Sequence, residues 1–399
     1  MKQLINSLED GSSQIIDLPI PKIGRQEVLI KTVCSLISSG TEKMLVDFGK
    51  SNYLNKALKQ PEKVSQVVEK IKTDGFLNSI NAVKTKLEMP ITLGYSNAGV
   101  VVGVGRDVKG IKVGDRVISN GPHAEFVSVP QNLCALIPDN LPFEKAVFTI
   151  ISSIGLQGVR LSKPTLGETF VVSGLGLIGL ITIQILRANG CKVIGIDPDQ
   201  RKCDIAKNLN FDVVNPTKID DMYSHIISIN NKDHIDGVII TATTKSNDPL
   251  DLAAKVSRKR GRIILIGQVG LELKRDLFYK KEITFQVSCS YGPGRYDDSY
   301  EKKGIDYPLG FVRWTQQRNM TAVLDLINKN LINVDSLISH KFDFCEFLKA
   351  YQVLETDSSA LGIVFNYEDR NNDFEEIIKL GLQDNKPTGS NKLNISCIG

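Results

Sequence analysis

Six residues, Gly174-Leu175-Gly176-Leu177-Ile178-Gly179, constrain this chain more than any other stretch of it. They stand between the β-branched run "TFVVS" and the uncharged apolar run "LIGLITIQIL". Strand, glycine turn and helix in that order form the phosphate-binding end of a parallel α/β unit. The first glycine makes the tight turn, the second lets backbone approach a pyrophosphate, and the third lets the helix pack on the strand. The helix start then offers unpaired N–H groups and a partial positive charge. A second strand-like run, "KVIGI", ends at Asp197, 23 residues after Gly174, the spacing of an acid that accepts from ribose hydroxyls. A carboxylate there repels a 2′-phosphate and favours NAD. Arg201 and Lys202 follow closely enough to keep NADP open.

The same stretch bears on membrane insertion. Thr169 to Leu186 is eighteen residues without a charge, the lower limit for crossing a bilayer. Glycines at nucleotide-loop spacing favour a buried strand and helix instead. The N-terminus has no apolar core of signal-peptide type. Forty-nine Lys and Arg against 45 Asp and Glu leave a net charge of +4, too small a surplus to point to nucleic acid or a membrane surface. Seven cysteines lie far apart, none at zinc-knuckle or C-x-x-C spacing. They read as reduced thiols, mostly buried, in a cytoplasmic protein.

Around the loop the chain divides by pattern. Short strands and glycine turns occupy 1–45 and 91–137, the spacing of a small β-barrel. Between them, 46–89 is Lys-rich, with apolar residues at helical spacing. After Phe143, strands alternate with helices, as in a doubly wound parallel sheet. The candidate strands are 169–173, 192–196, 212–214, 237–241 and 262–266. A helical "NMTAVLDLINKN" and a final strand "LGIVFNY" follow, and 368–391 has linker composition.

The strings "LPIPKIGRQEVLIK", "GVGRDVKGIKVGDRV" and "HAEFVSVP", followed by the glycine loop, resemble the medium-chain dehydrogenase/reductases, which comprise the zinc alcohol dehydrogenases and their zinc-free relatives. The resemblance implies a GroES-like β-barrel catalytic domain at 1–155, carrying the insertion 46–89. It implies a Rossmann doubly wound parallel-sheet domain at 156–294 and a return to the catalytic domain at 295–367, with the active site in the cleft between them. The strings "SSGTE", "SYGPGRYDDSYEKKGIDYPLGFVRWTQQRNM" and "NISCIG" are similar to a narrower group. In that group such a unit is fused to a second, glucose-fructose oxidoreductase/inositol dehydrogenase-type domain, in bacterial surface-polysaccharide and sugar metabolism. On that likeness 368–399 is a linker and the start of a second Rossmann strand, and the chain is the N-terminal half of a bi-domain enzyme. Dimers are usual for such folds, so a homodimer is an expectation, as is a second oxidoreductase domain, fused or separate.

The family's catalytic zinc needs three protein ligands and an open position. The cysteine turn of the family matches Ser39-Gly40-Thr41-Glu42 here, the G-H-E turn matches Gly94-Tyr95-Ser96, and the third region, "FTIISSIG", offers no Cys, His or Glu. The expectation is therefore a protein without metal, with Cys34, His123 or Glu42 as the residual ligand candidates. Chemistry then falls to hydrogen-bond donors and a base. Thr41 matches the hydroxyl that heads the family's proton relay, but the relay histidine is Met44. Tyr95 is either a phenolic donor in the cleft or a plug in the vacated metal position. His123, placed at the rim, is either a general base or a structural histidine. In Ser290–Tyr296, a Gly-Pro-Gly turn presents Tyr291 and Arg295 to a charged sugar, or is a plain loop.

The resulting expectation is an NAD(P)-dependent, zinc-independent oxidoreductase acting on a small polar or sugar-linked alcohol or carbonyl. The alternatives are a non-catalytic nucleotide-binding or docking module, and a quinone or enone reductase.

Overall fold

The computed structural model describes residues 1–7, 10–38, 40, 42–43, 90–230 and 235–368. Thr41, Met44, the Lys-rich insertion and the chain from 369 onward, including "NISCIG", lie outside the described residues.

The catalytic domain is organised on one long strand. It begins with β1 (Lys2–Asn6), β2 (Ser13–Asp17) and β3 (Glu27–Ser38), and resumes with β4 (Ile91–Thr92), β5 (Asn97–Val104), β6 (Arg116–Ser119), β7 (Phe126–Pro130) and β8 (Cys134–Leu136). β3 pairs antiparallel with both β5 and β7. Its side chains alternate between two cores, as a pleated strand requires. Cys34 and Leu36 enter the core shared with the nucleotide-binding domain, while Ile37 faces a separate cluster with Phe344 and Phe365.

Helix α1 (Thr149–Ser162) leads into the parallel sheet: β9 (Thr169–Ser173), α2 (Leu177–Ala188), β10 (Lys192–Ile196), α3 (Gln200–Asn208), β11 (Asp212–Val214), α4 (Met222–Ile229), β12 (Ile235–Ile240), α5 (Asp248–Val256), β13 (Ser257–Leu265) and β14 (Thr284–Val287). The strand order is β11-β10-β9-β12-β13-β14, so β9 and its glycine loop lie at the centre. All five β9 residues are buried, the mark of a parallel strand covered on both faces. The eighteen-residue apolar run is thus strand plus helix, and no helix among the described residues is long and apolar enough to cross a membrane.

The chain then returns through α6 (Gln316–Asn328), β15 (Ile338–Asp343), α7 (Phe347–Thr356) and β16 (Gly362–Asn366). β16 pairs antiparallel with β3, closing the catalytic sheet around the inserted nucleotide-binding domain. α1 runs unbroken across residue 155, the boundary read from sequence, and packs on both sides of it. A Cβ on Gly158 would lie 2.3 Å from Ile266, and one on Gly362 would lie 2.7 Å from the Phe148 ring just before α1.

Sequence pattern misplaced the outer strands for physical reasons. β13 begins at Ser257, inside the charged run "SRKRGR", where Arg260 takes a left-handed φ of 59°. β14 carries exposed side chains on an open edge and has no apolar run to mark it.

Phe170, fully buried in β9, fills the space above Gly237, where a Cβ would approach its ring to 2.1 Å. Phe170→Ala is expected to cost about 3–5 kcal/mol, read from the urea unfolding midpoint. A loss below about 1 kcal/mol would contradict this packing.

Candidate active site

The loop after β9 assigns each glycine a separate task. Gly174 has φ of +102°, where only glycine is unstrained. A Cβ on Gly179 would sit 1.9 Å from the Gly174 carbonyl oxygen, so α2 touches the loop backbone directly. A Cβ on Gly176 would meet nothing within 4 Å. That open cradle lies at the N-cap of α2, where no side chain caps the helix. Leu175, Leu177 and Ile178 complete the turn, and the carboxylate of Asp197 grips it. Leu175 N–H donates to one Asp197 oxygen at 2.7 Å, and Asp199 N–H donates to the other at 2.8 Å. Each oxygen keeps a further lone pair for a ribose hydroxyl. These residues fit a dinucleotide: an open phosphate cradle, a helix start with free donors and an acid beside it. Arg201 turns away from the cradle, onto Asp199 at 3.2 Å and the Ser358 hydroxyl at 2.5 Å.

At the positions matching the family's metal ligands, the donor chemistry does not fit zinc. Thr41 and Ser39 lie outside the described residues. Tyr95 is half-buried against the core shared by the two domains, and its carbonyl accepts from Asn120 at 2.9 Å. The Ser96 hydroxyl donates to Val147 O at 2.5 Å. The third region is the buried first half of α1, with Ile150 and Ile151. Burial pushes the Cys34 thiol up, away from the thiolate a metal requires. Among the described residues no three His, Cys, Asp or Glu side chains are grouped to hold a metal.

His123 is not at a rim. It is fully buried on the far face of β3, packed edge-on to Phe365 with ring centres 5.2 Å apart. Its Nδ1 lies 2.7 Å from the Ser35 hydroxyl and its Nε2 lies 3.1 Å from Glu42. Glu42, 1% exposed, also accepts from the Tyr351 hydroxyl at 2.5 Å and from Ser38 N–H at 2.9 Å. Burial first, and then the Glu42 carboxylate, hold the Tyr351 phenol well above its ordinary value, so it remains a donor. Both ring nitrogens are engaged within the protein and the ring is fully buried. This corrects the expectation of a rim base, and the network ties the turn after β3 to α7. Tyr351 was invisible in the sequence, because 309 residues separate it from Glu42.

The Gly-Pro-Gly segment forms a packed turn. Gly292 has φ of +117°, and a Cβ there would lie 2.6 Å from Asn319. The turn buries Tyr291, 3% exposed, in the shared core beside Tyr95, and its hydroxyl has no hydrogen-bond partner among the described residues. Burial pushes that phenol up, so it stays protonated. Arg295 is not a free fork. It pairs with Glu301 at 2.7 Å, under the Tyr296 ring at 4.3 Å. The structure thus brings Tyr95, Tyr291 and Arg295 together and leaves His123 on the other side of β3.

Comparison with known proteins agrees with this architecture. Residues 70–139 match the alcohol dehydrogenase GroES-like domain and 178–302 match the zinc-binding dehydrogenase model. D-arabitol-phosphate dehydrogenase of Enterococcus avium is 26% identical over 315 residues, 70% of this chain and 83% of that protein. D-guloside 3-dehydrogenase of Escherichia coli is 28% identical over 270 residues, 65% of this chain and 72% of that one. The crystal structure of 2R,3R-butanediol dehydrogenase from Bacillus subtilis superposes with a TM-score of 0.70, covering 92% of this chain and 99% of that one at 21% identity. The chain is an NAD(P)-dependent dehydrogenase/reductase of the medium-chain type, and its two family matches are to models of the zinc-type alcohol dehydrogenases.

Two substitutions separate cradle from scaffold. Gly176→Ala is expected to fold normally yet weaken NADH binding by about tenfold or more, about 1.4 kcal/mol. Gly179→Ala is expected to lower the melting temperature as well, because α2 must move off the loop. Cofactor titration beside thermal unfolding checks both, and equal behaviour of the two variants would refute the assignment. His123→Ala, which leaves Ser35 and Glu42 short of a partner, is expected to cost about 2–4 kcal/mol. The pH–rate profile of its folded fraction should not move. A lost titration step in that profile would return His123 to the chemistry.

Proposed function

We propose that this chain is a zinc-independent oxidoreductase that transfers a hydride between NAD and the hydroxyl-bearing carbon of a polyol or sugar-linked substrate. The observation that carries the reading is the pair of phenols, Tyr95 and the partnerless Tyr291, in the core shared by the two domains, where the family's metal ligands have been replaced. When bound, the nicotinamide ring supplies or accepts the hydride. The protein's part is to hold the substrate oxygen. The two phenols donate hydrogen bonds that polarise a carbonyl oxygen during reduction; the proton that completes the alcohol comes from solvent, and on oxidation the hydroxyl proton returns to solvent. Burial keeps Tyr291 in the protonated form that this role needs. Asp197, through its two remaining lone pairs, favours the unphosphorylated ribose of NAD, and Arg201 is engaged by Asp199 and Ser358. The names of the relatives, an arabitol-phosphate and a guloside dehydrogenase, support a polyol or sugar substrate. The likeness of "SYGPGRYDDSYEKKGIDYPLG" to bi-domain enzymes supports a place in surface-polysaccharide metabolism and a second oxidoreductase domain, which the reading frame beyond Gly399 tests. Cytoplasmic residence accords with the free buried cysteines at 34, 134, 191 and 203. The open edge of β14, with Val287 57% exposed, supports a homodimer.

Paired NADH and NADPH titrations, with metal analysis on the same sample, test the cofactor and zinc assignments. Tight NADH binding without stoichiometric zinc is expected. Zinc at one per chain, or a strong NADPH preference, would overturn them, and the latter would point to a quinone or enone reductase. Tyr95→Phe and Tyr291→Phe are each expected to lower kcat by about 10²-fold with NADH affinity unchanged. Full kcat in both variants would sink the phenol mechanism.

A further inference from the structure

A cavity of about 250 Å³ lies well away from the glycine loop, lined by Leu156, Val159, Arg160, Pro164, Asn189 and Trp314. Two elements fix its position. Asn189 caps the C-terminal end of α2, whose twelve residues set it about 18 Å from the loop at that helix's start. Pro164 precedes β9, so it stands at the amino end of a strand whose carboxyl end carries the loop. Ligands of open α/β sheets bind at the carboxyl ends. This cavity is therefore separate from the nucleotide site.

The Trp314 indole that walls the cavity carries two guanidiniums, Arg160 from the cavity lining and Arg313 from outside it. The Arg160 Cζ lies 3.4 Å from the Trp314 ring centre, and the Arg313 Cζ lies 3.8 Å from it. Two guanidiniums over one ring centre on the same face would overlap, so the indole is sandwiched. The two charges then stand within about 7 Å of each other. The Arg160 Nε donates to Asn319 Oδ1 at 2.7 Å. Among the described residues its terminal nitrogens have no hydrogen-bond partner, and no carboxylate pairs with either arginine. Burial, and then the Arg313 charge, pull the Arg160 guanidinium down to about 10. Both costs fall on the charged form, and a bound anion offsets both.

We infer that this cavity binds a phosphate monoester, held by the Arg160 fork with Arg313 across the indole. A phosphate monoester carries a charge near −2, the complement of two guanidiniums, and presents three oxygens to an arginine fork. Leu156, Val159, Pro164 and the indole form an apolar wall beside the charges, which strengthens the interaction by displacing water.

Trp314 is the sole tryptophan of the chain, so its emission reports on this cavity alone. The test titrates inorganic phosphate and glycerol 3-phosphate against sodium chloride at matched ionic strength. The oxidised nicotinamide cofactor is kept saturating, so that the glycine loop is filled. A saturable emission change with the phosphates and none with chloride is expected. R160M and R313Q are each expected to weaken phosphate binding by about tenfold, with NADH affinity unchanged. The Arg313 side chain is exposed and makes no hydrogen bond among the described residues, so R313Q tests the site even where R160M fails to fold. The absence of a saturable change beyond chloride, or an unaltered isotherm in R313Q, would overturn the proposal.

Discussion

The contact between α2 and the loop after β9 is backbone on backbone. With a Cβ at Gly179 the Gly174 carbonyl would be 1.9 Å away, so no side chain fits and the helix axis is fixed against the strand. The rest of the nucleotide-binding domain depends on that approach. It aims the start of α2 at the open cradle of Gly176, and it brings Leu175 N–H within reach of Asp197 at the end of β10. A carboxylate receiving two backbone N–H groups belongs to the scaffold as well as to the site, which is why the acid is buried there without a cationic partner among the described residues.

The catalytic domain has its own determinant in β3. One strand supplies Cys34 and Leu36 to the core shared with the nucleotide-binding domain, and Ser35 and Ile37 to the opposite face. The polar network of Ser35, His123, Glu42 and Tyr351 lies on that second face. Each member is satisfied by another, so a fully buried histidine and carboxylate persist in an apolar cluster. The network pins the end of β3 to α7, and so to the part of the chain that returns after the nucleotide-binding domain. A residue that looks catalytic by type serves here to join segments far apart in sequence.

What was legible in the sequence follows from the range of the interactions. The glycine loop, the strands at 169–173, 192–196 and 212–214, and the acid at Asp197 are written in local periodicity and spacing. The charged start of β13 and the exposed edge strand β14 carry no such pattern, because an edge strand needs no two-sided burial. Sequence leaves His123 open between a rim base and a structural histidine, because burial is a tertiary property. Its neighbours "HAEFVSVP" place it beside a strand, and nothing local tells which face of β3 it meets. Sequence leaves Arg295 open between a substrate fork and a plain loop for the converse reason. Glu301, six residues on, was visible in sequence, yet only the turn at Gly292 and Gly294 brings it to the guanidinium.

Charge bears on how the proposed chemistry would work. Arg295 is neutralised by Glu301, and Glu42 is held on the far side of β3, so neither presents a bare charge to the shared core. The polar groups proposed to act there, Tyr95 and Tyr291, are phenols, and burial holds Tyr291 in its protonated form. A preorganised donor in a dry site contributes roughly 3–4 kcal/mol to stabilising a developing oxyanion. Two such donors supply only part of an enzymatic barrier reduction, which runs to about 8 kcal/mol or more. The remainder must come from holding the reacting carbon in line with the hydride. On the proposed reading the enzyme therefore depends on substrate positioning more than a metal-centred relative does, and a polyol or sugar offers the several hydroxyls that such positioning requires.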